Sequence, residues 1–201
     1  MNKEELIKYN IFLKDSFISD EDCDFIRNFI DESNKNNNLN QENWGPGSNV
    51  QCFYFTIEDI NDCEMKVKIE NIIYDKMVLF QKELKEKYDI HTKGDSGYCL
   101  RKIYGSTRKH KDGTICSTSF HVINNKTYAP IDKVRALSAI LILNDDYEGC
   151  FFEFPIQNIS LSLKKGQLIA FPPYWTHPHK VTEPLNGSYR YTINTWLYDK
   201  L

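Results

Sequence analysis

From about residue 97 onward the chain is a succession of short apolar strands, and no other feature constrains its fold as tightly. Stretches 98–104, 137–143, 150–154, 159–163, 167–171 and 189–197 are rich in β-branched and aromatic residues. Gly or Asn-Asp turns separate several of them. The first half reads differently. Residues 11–13 form a short apolar strand. Ser19-Asp20-Glu21-Asp22 supplies a capping side chain and an acidic first turn, and Phe25, Ile26, Phe29 and Ile30 then recur at helical spacing, which predicts a helix over roughly 21–32. Residues 50–56 read as a strand. The apolar positions of 62–87, separated by charges, predict one long helix that covers a sheet. Helices first and strands after predict an α+β chain, mainly β: an antiparallel sandwich with helical support. There are no internal repeats, and 201 residues suit a single domain, with 1–96 as support and 97–201 as core.

The polar stretch 33–48 is expected to be a loop. It is either a plain linker or a lid in which Trp44 closes over a substrate. A net charge of −3 offers no basic field for a phosphate backbone, so nucleic acid is not expected as a partner. No apolar run reaches the ~18 residues that span a bilayer, so no membrane partner is expected either. The six cysteines form no Cys-x-x-Cys pair, and the opening Met1-Asn2-Lys3-Glu4-Glu5 carries no apolar signal segment. They are expected to be mostly reduced core residues in a cytoplasmic protein.

The polar residues that interrupt the strands carry the chemistry. His110-x-Asp112 follows strand 98–104 after a turn expected at Gly105-Ser106-Thr107. Residues two apart in an extended segment point the same way, so both can face one cavity. His121, His177 and His179 could each complete a site, and His121 is the weakest because its surroundings lack strand character. Two imidazoles and one carboxylate bind a first-row metal on one face and leave other positions open, as in non-haem Fe(II) oxygenases. Arg190 opens the last strand. Alternation places Arg190, Thr192, Asn194 and Trp196 on one face and Tyr189, Tyr191, Ile193 and Leu197 on the other. On that face Arg190 either points to solvent or holds a carboxylate in a charge-assisted fork. The acidic turn Asn144-Asp145-Asp146-Tyr147-Glu148-Gly149 is explained by turn chemistry without a metal.

Taken in order, these residues resemble the Fe(II)/2-oxoglutarate-dependent dioxygenases, in particular the prolyl 4-hydroxylase-like branch. The resemblance runs over roughly 97–198. It comprises Leu100-Arg101-Lys102-Ile103-Tyr104-Gly105, His110-x-Asp112, Arg135-x-x-Ser138, the run to Asn144 and Gly149, Phe154-Pro155, Lys165-Gly166, Phe171-Pro172, His179-x-Val181, Gly187, Arg190 and Trp196. It implies a double-stranded β-helix, or jelly roll, with N-terminal helices packed on the major sheet. It implies that His110, Asp112 and His179 hold Fe(II), and that Arg190 pairs with the distal carboxylate of the co-substrate 2-oxoglutarate. Tyr104 and Thr192 would assist Arg190. No catalytic residue beyond the metal ligands is implied. His177, Trp196 and Trp44 are candidates for supporting or substrate contacts. The implied reaction hydroxylates a substrate while 2-oxoglutarate becomes succinate and CO2, with ascorbate as an accessory reductant. The substrate would be a peptidyl residue of a peptide or protein, proline first, or else a small molecule. Two rivals are a non-catalytic jelly-roll binding module and a cupin-like metalloenzyme that does not use 2-oxoglutarate.

Overall fold

The structure is a computed structural model, and it describes residues 2–35, 40–42, 49–113, 121–123, 126–128, 133–185 and 187–200. The elements in chain order are α1 (Lys3–Ile7), β1 (Phe12–Lys14), α2 (Asp20–Lys35), β2 (Asn40–Glu42), β3 (Asn49–Thr56), a 3-10 turn (Ile57–Asp59), α3 (Cys63–Tyr88), β4 (Gly94–Asp95) and β5 (Cys99–His110). There follow β6 (His121–Ile123), β7 (Lys126–Tyr128), β8 (Lys133–Ile142), β9 (Phe152–Phe154), β10 (Ile159–Leu161), β11 (Leu168–Phe171), β12 (His179–Val181) and β13 (Arg190–Lys200).

Every strand pairing among the described residues is antiparallel. The larger sheet runs β1-β11-β8-β13-β5-β3-β2, with β4 added beside β13. The smaller runs β5-β12-β9-β10. Strand β5 belongs to both. Its first half pairs with β13, as Arg190 opposite Ile103, and its end pairs with β12, as His179 opposite His110. The change of partner falls at Gly105, whose φ of 88° suits a residue without Cβ. The expected turn at 105–107 is therefore a bend inside one strand, which carries the chain from one sheet to the other. This is the jelly-roll architecture, α+β and mainly β.

The helices form where their capping and spacing demand. The Ser19 hydroxyl accepts the Asp22 amide at the start of α2, and Asp62 accepts the amides of Glu64 and Met65 at the start of α3. Helix α3 buries Ile69, Ile73, Met77, Phe80 and Leu84 along one stripe. Helix α2 adds Cys23, Ile26 and Ile30. Together they cover the outer face of the larger sheet, where Leu100, Leu137, Ala139, Leu141, Tyr191, Ile193 and Leu197 meet them in one cluster. A second cluster fills the space between the sheets with Ile140, Ile142, Phe152, Phe154, Ile159, Ile169, Phe171 and Val181. Burying one such side chain contributes roughly 1.5–3 kcal/mol, so these two layers dominate stability and hold the inner face rigid.

Several elements depart from the expectation. The polar stretch 33–48 is not all loop: α2 continues to Lys35, and Asn40–Glu42 pairs with β3. Cross-strand pairing supplied what composition did not show. Trp44 lies outside the described residues. His121 opens a strand, β6, in a two-stranded ribbon with β7. The five described cysteines form no disulfide; Cys23, Cys52 and Cys150 are buried, and Cys63 is exposed. Among the described residues no helix is long and apolar enough to cross a membrane.

Candidate active site

One end of the space between the sheets gathers three donors. His110 ends β5, Asp112 follows two residues later, and His179 opens β12 directly opposite His110. The two imidazole rings are 4.4 Å apart between centroids. Asp112 Oδ1 lies 3.5 Å from His110 Nε2 and 3.6 Å from His179 Nε2. Donors about 2.1 Å from a common ion stand roughly 3–3.5 Å apart, so this spacing fits a single divalent cation. Among the described residues these are the three side chains that could hold a metal together.

Each donor is aimed by a second contact. His110 Nδ1 meets the Arg108 carbonyl at 2.9 Å, and His179 Nδ1 meets the His177 carbonyl at 3.2 Å. A proton on Nδ1 leaves Nε2 as the lone pair that faces the common point. The other carboxylate oxygen, Asp112 Oδ2, accepts from the Ser138 hydroxyl at 2.6 Å and from Trp196 Nε1 at 3.3 Å. Oδ1 is thereby left for a cation. Arg135 donates to the Asp112 carbonyl at 2.7 Å and lies over the Trp196 ring. Phe152 stacks on the His179 ring and Phe171 meets it edge-on. Burial, with help from the second imidazole, pushes His179 down to about 4, which keeps it neutral as a ligand must be. Burial opposes ionisation of Asp112, but its hydrogen-bond partners and the imidazoles outweigh that, and its carboxyl sits well below the usual range.

Arg190, Thr192, Asn194 and Trp196 all line the same cavity, as strand alternation requires. Tyr191, Ile193 and Leu197 face the helices. Arg190 is buried, and its Nε has no hydrogen-bond partner. Burial pushes its pKa down from the usual arginine value. A guanidinium in that position is costly unless an anion meets it, so the fold holds a charge that a carboxylate would offset. The Thr192 hydroxyl, also buried, donates to Asn194 Oδ1 at 2.8 Å.

Tyr104 is a correction. It shares the face of Leu100 and Lys102, not that of Arg101 and Ile103, and its ring packs on Tyr189 at 5.6 Å. The parity of β5 turns it away from the cavity. His177 does not line the cavity either. Its ring is tied to the Tyr9 carbonyl at 2.6 Å and to the Thr176 hydroxyl at 2.9 Å, and its own carbonyl orients His179. In the acidic turn, Asn144 holds Asp146 and the Tyr189 carbonyl, and Asp146 pairs with Arg27. Turn chemistry accounts for that cluster, as expected.

A sequence profile of the 2OG-Fe(II) oxygenase superfamily matches residues 100–198. The chain belongs to that superfamily. No curated protein sequence matches it. Solved structures share its fold at low identity. The viral collagen prolyl hydroxylase of Paramecium Bursaria Chlorella virus-1, in a 2OG complex, superposes with a TM-score of 0.64 at 19% identity, over 96% of this chain and 97% of that one. A prolyl hydroxylase from Trichoplax adhaerens, complexed with a hypoxia inducible factor peptide fragment, gives 0.69 at 12% identity, over 98% and 86%. A Pseudomonas putida prolyl-4-hydroxylase gives 0.64 at 13% identity, over 98% and 97%.

Within this 2OG-Fe(II) oxygenase cavity the structure adds side chains that the sequence did not single out. Arg101 faces inward from β5 opposite Thr192, and Tyr147 and Cys150 reach in from the turn after β8. Cys150 follows Gly149, where an added Cβ would stand 2.6 Å from the Glu183 carbonyl oxygen. That close approach presses the turn against residues 182–185 and delivers Tyr147 inward. Alternation from Leu100 would have revealed Arg101. Nothing in the turn's composition marks Tyr147 as inward-facing.

Proposed function

We propose that this chain is an Fe(II)- and 2-oxoglutarate-dependent hydroxylase of a peptidyl residue, proline first. One observation carries the reading. A single cavity holds three converging donors at one end and a buried arginine with an unmet Nε on the same inner wall. That arrangement suits a molecule with a chelating keto acid at one end and a free carboxylate at the other. The fold shared with prolyl hydroxylases supports the choice of reaction, and the peptide in the Trichoplax complex supports a peptide substrate.

His110, Asp112 and His179 would hold the iron, which when bound supplies the oxygen activation that converts 2-oxoglutarate to succinate and CO2 and hydroxylates the substrate. The residues of the chain do the rest. Arg190 receives the distal carboxylate through a charge-assisted fork, and Thr192 offers its hydroxyl beside it. Ile140, Ile142, Phe152, Leu163 and Val181 wall the cavity with apolar surface and exclude water. Ser138 and Trp196 keep Asp112 aligned. The test is release of CO2 from labelled 2-oxoglutarate by protein supplied with Fe(II) and ascorbate. Wild type should release it even without a prime substrate, and His110→Ala should not. Equal release by wild type and His110→Ala would refute the proposal.

A further inference from the structure

Three bulky apolar side chains stand exposed where three distant stretches of the chain meet beside the metal pole. Tyr9, Ile156 and Trp175 are 44%, 64% and 75% exposed. Their meeting point is the turn 174–177, closed by the His177 amide donating to the Tyr174 carbonyl at 3.0 Å. His177 Nε2 donates to the Tyr9 carbonyl at 2.6 Å, and Gln157 Nε2 donates to the Thr176 carbonyl at 2.8 Å. These bonds tie residue 9, the turn that holds Ile156 and the turn that holds Trp175 side by side. The Trp175 turn is also anchored at both ends to the metal donors. The Gly113 amide, next to Asp112, donates to the Pro173 carbonyl at 3.0 Å, and His179 lies opposite His110. Tyr174 Oη donates to the Arg135 carbonyl at 2.5 Å. Trp175 is four residues before His179, so at most about 14 Å of chain separates the two.

Single apolar side chains on a surface need no explanation, but a cluster assembled from three segments does. Both neighbours of Trp175 are tied down while its indole stays in water. The fold has already ordered the platform, so a ligand that covers it loses little further entropy there. We propose that Tyr9, Ile156 and Trp175 form a docking surface outside the cavity for the peptide substrate. It takes a bulky apolar side chain, aromatic above all, within about four residues of the one that is hydroxylated. The inference rests on the proposed hydroxylase reading. Continuity with the cavity selects this occupant. His110 and Asp112 line the cavity and are half-exposed, so it opens to solvent beside the same turn. One extended peptide can therefore present one residue to the cavity and another to the indole. An aromatic guest gains both buried apolar area and ring–ring contact, which a polar residue on the same backbone does not.

The experiment uses the full chain loaded with Mn(II) and saturated with 2-oxoglutarate, and reads peptide binding by calorimetry. The probes are blocked Gly-Ser peptides with one central proline and one Phe placed one to four residues to either side. Each is compared with its twin that carries Ser in place of Phe. Wild type is expected to bind the Phe peptide about tenfold more tightly than its twin at one spacing. Trp175→Ser should erase the difference and Trp175→Phe should keep part of it. Leu79→Ser, at an exposed apolar position on α3, should keep all of it. 2-Oxoglutarate binding to the Mn(II) form of Trp175→Ser should stay within about threefold of wild type, as sites without shared partners act independently. No preference for Phe at any spacing, including a result in which no peptide binds, overturns the inference. So does a Trp175→Ser variant that keeps the preference, or one that loses 2-oxoglutarate together with it, because the turn would then only support the metal. A wild type that sediments as a dimer while Trp175→Ser is a monomer gives the surface to a second copy of the chain, and also overturns it. Failure of the wild type to bind 2-oxoglutarate with Mn(II) instead sinks the hydroxylase reading.

Discussion

The two poles of the cavity are built on opposite principles. At the metal pole every donor is braced. His110 and His179 are tied through Nδ1 to backbone carbonyls, and Asp112 through Oδ2 to Ser138 and Trp196. Little remains to be arranged when a cation arrives. At the other pole Arg190 is buried with an unmet Nε, held without a matching anion among the described residues. The first pole is finished by the fold. The second is completed by a ligand, and until then it is a store of unfavourable desolvation. The contrast teaches that preorganisation and stability are separable: one pole gains affinity at no cost to the fold, the other holds affinity in reserve against it.

The hardest blow to this contrast is Asp112→Ala. It removes the one anionic donor and leaves two imidazoles, so metal affinity measured by competition with a chelator should fall by more than 100-fold. Arg190→Met comes next. 2-Oxoglutarate affinity should drop about 100-fold, yet the unliganded protein should melt higher, by about 1 kcal/mol or more of stability, because an unpaired buried charge is gone. A variant that loses affinity and stability together would erase the distinction between the poles. Ser138→Ala sharpens the metal side. Removing one brace from Asp112 should weaken metal about 10-fold and leave 2-oxoglutarate binding to the metal-saturated protein nearly unchanged. The smallest effect lies outside both poles, at the Lys14–Glu83 pair between β1 and α3. Lys14 holds the Glu83 carboxyl below its usual range. That stabilisation is present at neutral pH and lost as pH falls from the unfolded value, about 4.3, through the lower folded one. Glu83→Gln should cost about 0.2–1 kcal/mol at neutral pH, with the difference vanishing in acid, as read from urea melts across pH.

Much of this was legible before any coordinates. Strands with strict alternation could be read directly, because one face of β13 packs on helices and the other lines a cavity, and the period of two assigns each residue. It put His110 and Asp112 on one side of their segment and Arg190, Thr192 and Trp196 on one face of the last strand, whereas the choice of His179 over His121 and His177 rested on the family resemblance. Tyr104 rested on the resemblance alone; counted from Leu100, the period of two along β5 turns it away from the cavity and brings Arg101 inward. The role of His177 was out of reach for another reason: its partner, the Tyr9 carbonyl, is a backbone atom more than 160 residues away in sequence, brought near only by the packing of α1. Short elements such as β2 and β12 carry too few residues for periodicity to show, and form because a neighbouring strand offers its ladder.

The co-substrate is proposed to span both poles, so the most direct test is calorimetric titration of 2-oxoglutarate into wild type and Arg190→Met, each with and without Mn(II). A bridging ligand predicts one site per chain, strong only when metal and Arg190 are both present, with each loss alone costing about 100-fold. Binding that is indifferent to the metal, or to Arg190, would contradict a single ligand held between them.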